Sequence, residues 1–173
     1  MRVVAGECRG RRLAAPPGSG TRPTSDRVRE SMFNALGSLG AIDGATVVDL
    51  FAGSGALGIE ALSRGAASAV FVESDRDACA VIAANLAACG LSGRARVVRA
   101  DATTWRQAGR VDLVLADPPY VFGDWESLAA RIDSEWFVAE TSGPVDLGSC
   151  WDVVRTKRYG QTTVTIARRL HEA

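Results

Sequence analysis

Between residues 46 and 116 the chain alternates between two periodicities, and this alternation constrains its fold more than any single motif. Apolar, β-rich runs at 46–51, 69–72, 96–99 and 111–116 are separated by helix-forming stretches at 57–64, 75–89 and, more weakly, 102–107. Strands that alternate with helices pair in parallel, and crossover helices cover both faces of the sheet. A helix around 125–132 and a strand around 136–141 continue the rhythm. Then it breaks. Two β-rich runs at 151–155 and 162–168 are joined by Lys157-Arg158-Tyr159-Gly160, too close for a crossover helix, so they should pair antiparallel at the sheet's end. The expected fold is α/β: a Rossmann-like, doubly wound, mostly parallel sheet with antiparallel C-terminal strands.

Ahead of this unit, Arg2-Val3-Val4-Ala5 and the run from Glu7 to Leu13 read as two short strands around Gly6 and Gly10, ended by Pro16-Pro17-Gly18. We expect a basic N-terminal β-hairpin arm over residues 1–22 and the main domain over 23–173. Thr24, Ser25 and Asp26 offer N-cap oxygens to a helix whose apolar positions are Val28, Met32, Ala35, Leu36 and Leu39. The formal net charge is zero, but residues 1–30 carry seven arginines against three acids. Such asymmetry points to a polyanion at this end of the chain. Arg2, Arg9, Arg11, Arg12, Arg22 and Arg27 are the expected phosphate contacts, since the guanidinium fork matches phosphate geometry. Arg22 has the alternative reading of a solvated loop arginine.

Several chemistries are disfavoured. The four cysteines show no C-x-x-C spacing and His171 is the single histidine, so neither a metal site nor a Cys-His or Ser-His-Asp centre is expected. Each cysteine reads as a small buried hydrophobe. The longest apolar runs fall far short of the roughly 20 residues of a membrane span, and no apolar h-region follows the first arginines, so a cytoplasmic protein with no membrane partner is expected.

Strand Val47-Val48-Asp49-Leu50-Phe51 runs into Ala52-Gly53-Ser54-Gly55-Ala56-Leu57-Gly58, which satisfies G-x-G-x-x-G at a strand-to-helix turn. Nicotinamide, flavin and S-adenosylmethionine sites all use this pattern. Glu73, twenty residues after Gly53, stands where a carboxylate can accept ribose hydroxyl protons in any of them. Asp49 is more discriminating: an acid just before the glycines suits a cofactor bearing an ammonium group. Asp101, after the third strand, can accept from an adenine amine. Both aspartates have the alternative of capping the turns that follow them.

The most specific signal is Asp117-Pro118-Pro119-Tyr120, closing the fourth strand. Proline fixes φ, donates no backbone proton and pushes the residue before it into extended geometry, so these residues form a rigid ledge of acceptors. A conjugated amine is a poor nucleophile; acceptors on its N–H bonds favour the developing cation of its transition state. The Tyr120 ring can stack on the ring carrying that amine. Asp117, Pro118, Pro119 and Tyr120 are therefore the candidate catalytic residues. Phe122 and Trp125, just beyond, read as core more than as a lid over a flipped base.

With these residues in place, 46–120 resembles the class I S-adenosylmethionine-dependent amino-methyltransferases. The Arg-x-Val-Ala-Gly-x-x-Arg-Gly-Arg-x-Leu start, the segment Arg22-Pro23-Thr24-x-Asp26-Arg27-Val28-Arg29-Glu30 and the late Lys157-x-Tyr159-Gly160-x-Thr162 resemble the RsmD family. That resemblance implies S-adenosylmethionine as cofactor, the N2 amine of a guanine in small-subunit (16S) ribosomal RNA as acceptor, and an RNA-gripping arm; a monomer acting on the assembled 30S subunit is expected, with naked RNA the alternative substrate. The implied cofactor rim comprises Asp49, Phe51, Gly53, Ser54, Gly55, Glu73, Ser74, Asp101, Ala102 and Asp117. The stretch 143–149 departs from the class by being too short for its usual helix. Alternatives are a DNA or glutamine amino-methyltransferase, a nicotinamide oxidoreductase, and a non-enzymatic RNA-binding protein.

Overall fold

The computed structural model describes residues 1–18 and 24–171. Helix α1 spans Asp26–Ser38, and the strand–helix alternation follows as β1 (Thr46–Leu50), α2 (Ala56–Ser63), β2 (Ser68–Glu73), α3 (Arg76–Ala88), β3 (Ala95–Arg99) and β4 (Val111–Ala116). Then come α4 (Trp125–Arg131), β5 (Ser134–Thr141), β6 (Trp151–Tyr159) and β7 (Thr162–Arg169). The seven strands form one sheet in the order β3-β2-β1-β4-β5-β7-β6. The pairs from β3 across to β5 are parallel, and β5–β7 and β7–β6 are antiparallel.

Period-2 alternation divides the apolar residues between two faces. Val47, Phe71, Leu113, Leu115 and Val138 face Met32, Phe33, Leu36, Ile59, Leu62 and Ile82 of helices α1, α2 and α3. Val48, Leu50, Val72, Val114 and Phe137 face the opposite way, toward Trp125, Leu128 and Ala129 of α4 and toward Leu147 and Trp151. One face is thus covered by three helices and the other by a single short helix and loops. Residues 143–149 are helix-free, as their shortness implied.

Two expected elements do not form among the described residues. Residues 102–107 form a turn instead of a weak helix: Asp101 accepts the N–H and hydroxyl of Thr103, and the backbone N–H groups of Thr104 and Trp105 return to the Asp101 carbonyl. Such side-chain bonding competes with helix formation. At the N-terminus two strands do not form. The hairpin keeps a single antiparallel bridge, Arg2 to Arg12, and much of its remaining backbone binds the body of the protein.

That docking follows from unpaired main-chain donors meeting buried polar side chains. The N–H groups of Val4 and Ala5 donate to the Glu60 carboxylate at 2.9 and 3.0 Å, that of Cys8 to Ser63 Oγ at 3.0 Å, and that of Ala14 to Asn85 Oδ1 at 2.9 Å. Val3, Cys8 and Leu13 belong to the three-helix side of the core. Gly6, at φ +85°, lies so close to the Ser63 carbonyl that a Cβ would stand 1.8 Å from its oxygen. Among the cysteines Cys8 is buried, whereas Cys79 and Cys89 are half-buried and Cys150 is exposed, so the buried-hydrophobe expectation holds fully only for Cys8.

Candidate active site

Strand β1 lies between β2 and β4. The chain leaves β1 toward β2 and returns on the other side as β4, so the loops after β1 and β4 diverge and open a crevice at the strands' carboxyl ends. A cavity of about 520 Å³ fills it, lined by Asp49, Phe51, Gly53 and Ser54 on one side and by Asp117 to Tyr120 on the other. This size suits a nucleoside-sized ligand.

The glycine loop is built from hydrogen bonds to β1 and β2. Phe51 adopts φ 57°, the one positive value at a non-glycine among the described residues, and Gly53 and Gly55 follow at 57° and 79°. Left-handed geometry at a bulky residue costs on the order of 1 kcal/mol and is sustained where the surroundings hold it. Here the Ala52 N–H donates to the Val72 carbonyl at 3.1 Å and the Gly53 N–H to Glu73 Oε2 at 2.8 Å. Gly58 serves packing: a Cβ there would sit 2.3 Å from the Phe71 ring.

Asp49 caps the start of α2, accepting the Gly58 N–H at 2.9 Å, and also lines the cavity. Burial raises its pKa well above the usual carboxylate range; the Gly58 N–H opposes this, and the charges of Asp117 and Glu73 push it further up. Crowded acids at a cavity wall favour a cationic ligand. Glu73 also accepts the Asp75 N–H at 2.9 Å, with Ser74 exposed beside it. Asp101 lies exposed beyond the cavity lining, its pKa lowered by the Thr103 hydroxyl and N–H, and Ala102 is buried on the α4 side. Asp101 in this structure caps its own turn.

On the opposite wall, Pro118 is buried and the Tyr120 ring is 52% exposed at the rim, its hydroxyl 3.3 Å from Thr162 Oγ1. The β6–β7 turn therefore meets the ledge, and Gln161 from that turn lines the cavity. Burial raises the Asp117 carboxyl to a pKa of about 6, against an opposing bond from Thr24. Thr24 Oγ1 lies 3.1 Å from Asp117 Oδ2 and 2.7 Å from Glu140 Oε2. Glu140 and Gln161 were not anticipated from the sequence. An acid directly after the apolar run Trp136-Phe137-Val138-Ala139, in the same strand, is the signal that marks Glu140. Phe122 and Trp125 join Phe51 and Phe137 in a row of ring contacts, centroids 5.2–6.4 Å apart, and Trp125 is core as expected.

Arg2, Arg9, Arg11, Arg12 and Arg27 are exposed, whereas Arg22 lies outside the described residues. Arg29, counted among the N-terminal charges, is fully buried: it pairs with Asp26 at 2.9 Å and Glu60 at 3.6 Å and donates to the Arg2 and Thr24 carbonyls. It fastens the hairpin and Thr24 to the domain.

A family model described as conserved hypothetical protein 95 matches residues 1–168. Ribosomal RNA small subunit methyltransferase D of Escherichia coli is 38% identical over 181 residues, covering 98% of this chain and 90% of the relative. Its namesake in Haemophilus influenzae is 31% identical, covering 99% and 93%. The solved Escherichia coli structure yhhF superposes at TM-score 0.86 with 35% identity and 99% coverage of each chain. An RNA methyltransferase from Salinibacter ruber in complex with S-adenosyl-L-homocysteine shares the fold at TM-score 0.70 and 20% identity, covering 88% and 96%.

Proposed function

The chain belongs to the conserved hypothetical protein 95 family, that of the RsmD ribosomal RNA small subunit methyltransferases, and on that premise we propose that it transfers a methyl group from S-adenosylmethionine to the exocyclic N2 amine of a guanine in small-subunit ribosomal RNA. The observation that carries this reading is the Asp117-Pro118-Pro119-Tyr120 ledge, which faces the glycine loop across one cavity at the sheet's switch point.

The residues present fit the cofactor. Gly53, Ser54 and Gly55 would admit its amino-acid portion, Glu73 its ribose, and the acids around Asp49 its positive charges. When bound, S-adenosylmethionine supplies a methyl on a cationic sulfur, which passes to nitrogen as the C–S bond breaks and leaves a neutral thioether. Asp117 accepts one N–H of the amine and localises the nitrogen lone pair. The nitrogen then releases a proton to the Asp117 carboxylate, and from there to water as product leaves. Tyr120 stacks on the base, which has to leave its helix to reach the ledge. The exposed arginines of the hairpin contact phosphates.

We take the acceptor to be the assembled 30S subunit of the bacterial cytoplasm and the enzyme to act as a monomer. Labelled-methyl transfer to undermethylated 30S subunits, naked 16S RNA, duplex DNA and total protein tests this directly. Label recovered as N2-methylguanosine from the subunit supports it; label confined to DNA or protein overturns the RNA assignment.

A further inference from the structure

Asp117 is one of two carboxylates in this wall. Strands β4 and β5 run in parallel register with Leu115 beside Val138 and Ala116 beside Ala139, so Asp117 and Glu140, each the next residue, emerge side by side on the same face. Both reach one hydroxyl, Thr24 Oγ1, at 3.1 and 2.7 Å. Thr24 comes from the segment before α1 and is held through its carbonyl by Arg29 Nη1 at 3.4 Å.

A hydroxyl has one proton to donate. Two ionised carboxylates cannot both be satisfied by it, and as neighbours in a buried site they repel. The arrangement closes if one carboxyl keeps its own proton, donates it to Thr24 Oγ1, and Thr24 passes its proton on to the other. The geometry points to Glu140 as the positioning residue of the reaction: it stays protonated and, through Thr24, fixes an ionised Asp117 with Oδ2 engaged and Oδ1 left for the amine. This rests on the reading of Asp117 as the amine's acceptor.

The surroundings of Glu140 agree. Asp117 lies beside it just past the end of β4, with Asp49 one strand further, on β1. From α1 the nearby cation is Arg29, whose charge is already matched by Asp26 and Glu60. From β7 its cross-strand partner is Val164, flanked by Thr163 and Thr165, and on β6 the Lys157 ammonium rests over the Tyr159 ring. Burial first, and then Asp117, raise Glu140 to a pKa of about 8, above Asp117 at about 6.

The test uses the full chain with two readouts. In native-minus-E140Q infrared difference spectra of the free protein at neutral pH, where the buried Asp49 contributes equally to both and cancels, a protonated carboxyl band should remain, and the same band should appear in D117N minus the D117N/E140Q double variant. In single-turnover methyl transfer, E140A should be slower by roughly tenfold. E140Q should recover most of that loss and lack the alkaline decline of the native enzyme. The isosteric T24V should slow transfer without changing cofactor affinity. A native-minus-E140Q spectrum with no protonated carboxyl band, or an alkaline limb unchanged by E140Q, overturns the inference. The infrared arm needs no substrate, so a wrong acceptor assignment would leave the band intact and empty only the transfer assay.

Discussion

Glu73 Oε2 accepts the backbone N–H of Gly53 at 2.8 Å, so the acid that ends β2 and the first glycine after β1 move as one unit. Glu73 Oε1 meanwhile accepts from Asp75 at the start of α3. The side chain proposed to receive the ribose therefore also sets the shape of the loop beside it. E73Q retains the length but offers one acceptor oxygen where the carboxylate offers two. We expect cofactor affinity to fall by roughly tenfold by calorimetry, with RNA affinity unchanged.

Substitution of Asp117 should separate binding from chemistry. D117A should lower single-turnover methyl transfer by about 10²–10³-fold while cofactor affinity stays within a few-fold, and D117N, which keeps an acceptor oxygen, should fall between them. Near-native turnover by D117A would remove the ledge from the mechanism.

Stability should fall as pH rises. Asp117 and Glu140 have folded-state pKa values of about 6 and about 8, above their values in the unfolded chain. Over the window between, the folded state holds more protons than the unfolded one, so this stabilisation is complete at about pH 4 and is lost toward about pH 8. Thermal melts should show Tm declining over that range for these groups, with the decline shallower in E140Q. A slope equal to that of the native protein would contradict the raised pKa.

The acids around the cavity couple cofactor charge to protons. Burial and the charges of Asp117 and Glu73 hold the Asp49 carboxyl well above its usual range, and a bound sulfonium brings positive charge to offset them. Binding of S-adenosylmethionine should release protons at neutral pH, more than S-adenosylhomocysteine does. Calorimetry in buffers of differing ionisation enthalpy measures both; equal release would show that the sulfonium does not sense these acids.

The hairpin's role is best tested by substitution. Deleting it would uncover Glu60, Ser63 and Asn85 along with the apolar surfaces that Val3, Cys8 and Leu13 cover. Replacing exposed Arg9, Arg11 and Arg12 with Gln leaves that seam intact. For every arginine–phosphate pair so removed, the log-log salt dependence of RNA binding should flatten by about 0.7–0.9, with cofactor affinity unchanged. An unaltered slope would take the hairpin out of the RNA interface.

Much of the fold was legible because this sequence punctuates locally. Gly53-x-Gly55 ends β1, Asp117-Pro118 ends β4, and Ser25 caps α1 with its side chain on the Val28 N–H. What escaped was set by distant pairing. Thr24 reads as a third capping candidate, and only the fold turns it toward two acids. The acid after an apolar run marks Glu140 as buried, but its place beside Asp117 comes from the β4–β5 register. Arg29 counts as a surface charge until α1 packs against α2 and buries it beside Glu60.

Strand β6 takes the sheet's edge and β7 returns antiparallel between it and β5, which places a tight turn where a crossover would have carried the chain away, and Gln161 arrives at the cavity by that route. The turn is the cheapest part of the wall to rewrite. Thr162 ties it to Tyr120 of the ledge, whereas Gln161 can be exchanged without removing a strand pairing or that contact. A change at Gln161 would therefore alter what the cavity admits while Gly160, at φ 61°, keeps the turn and the glycine loop stays as it is.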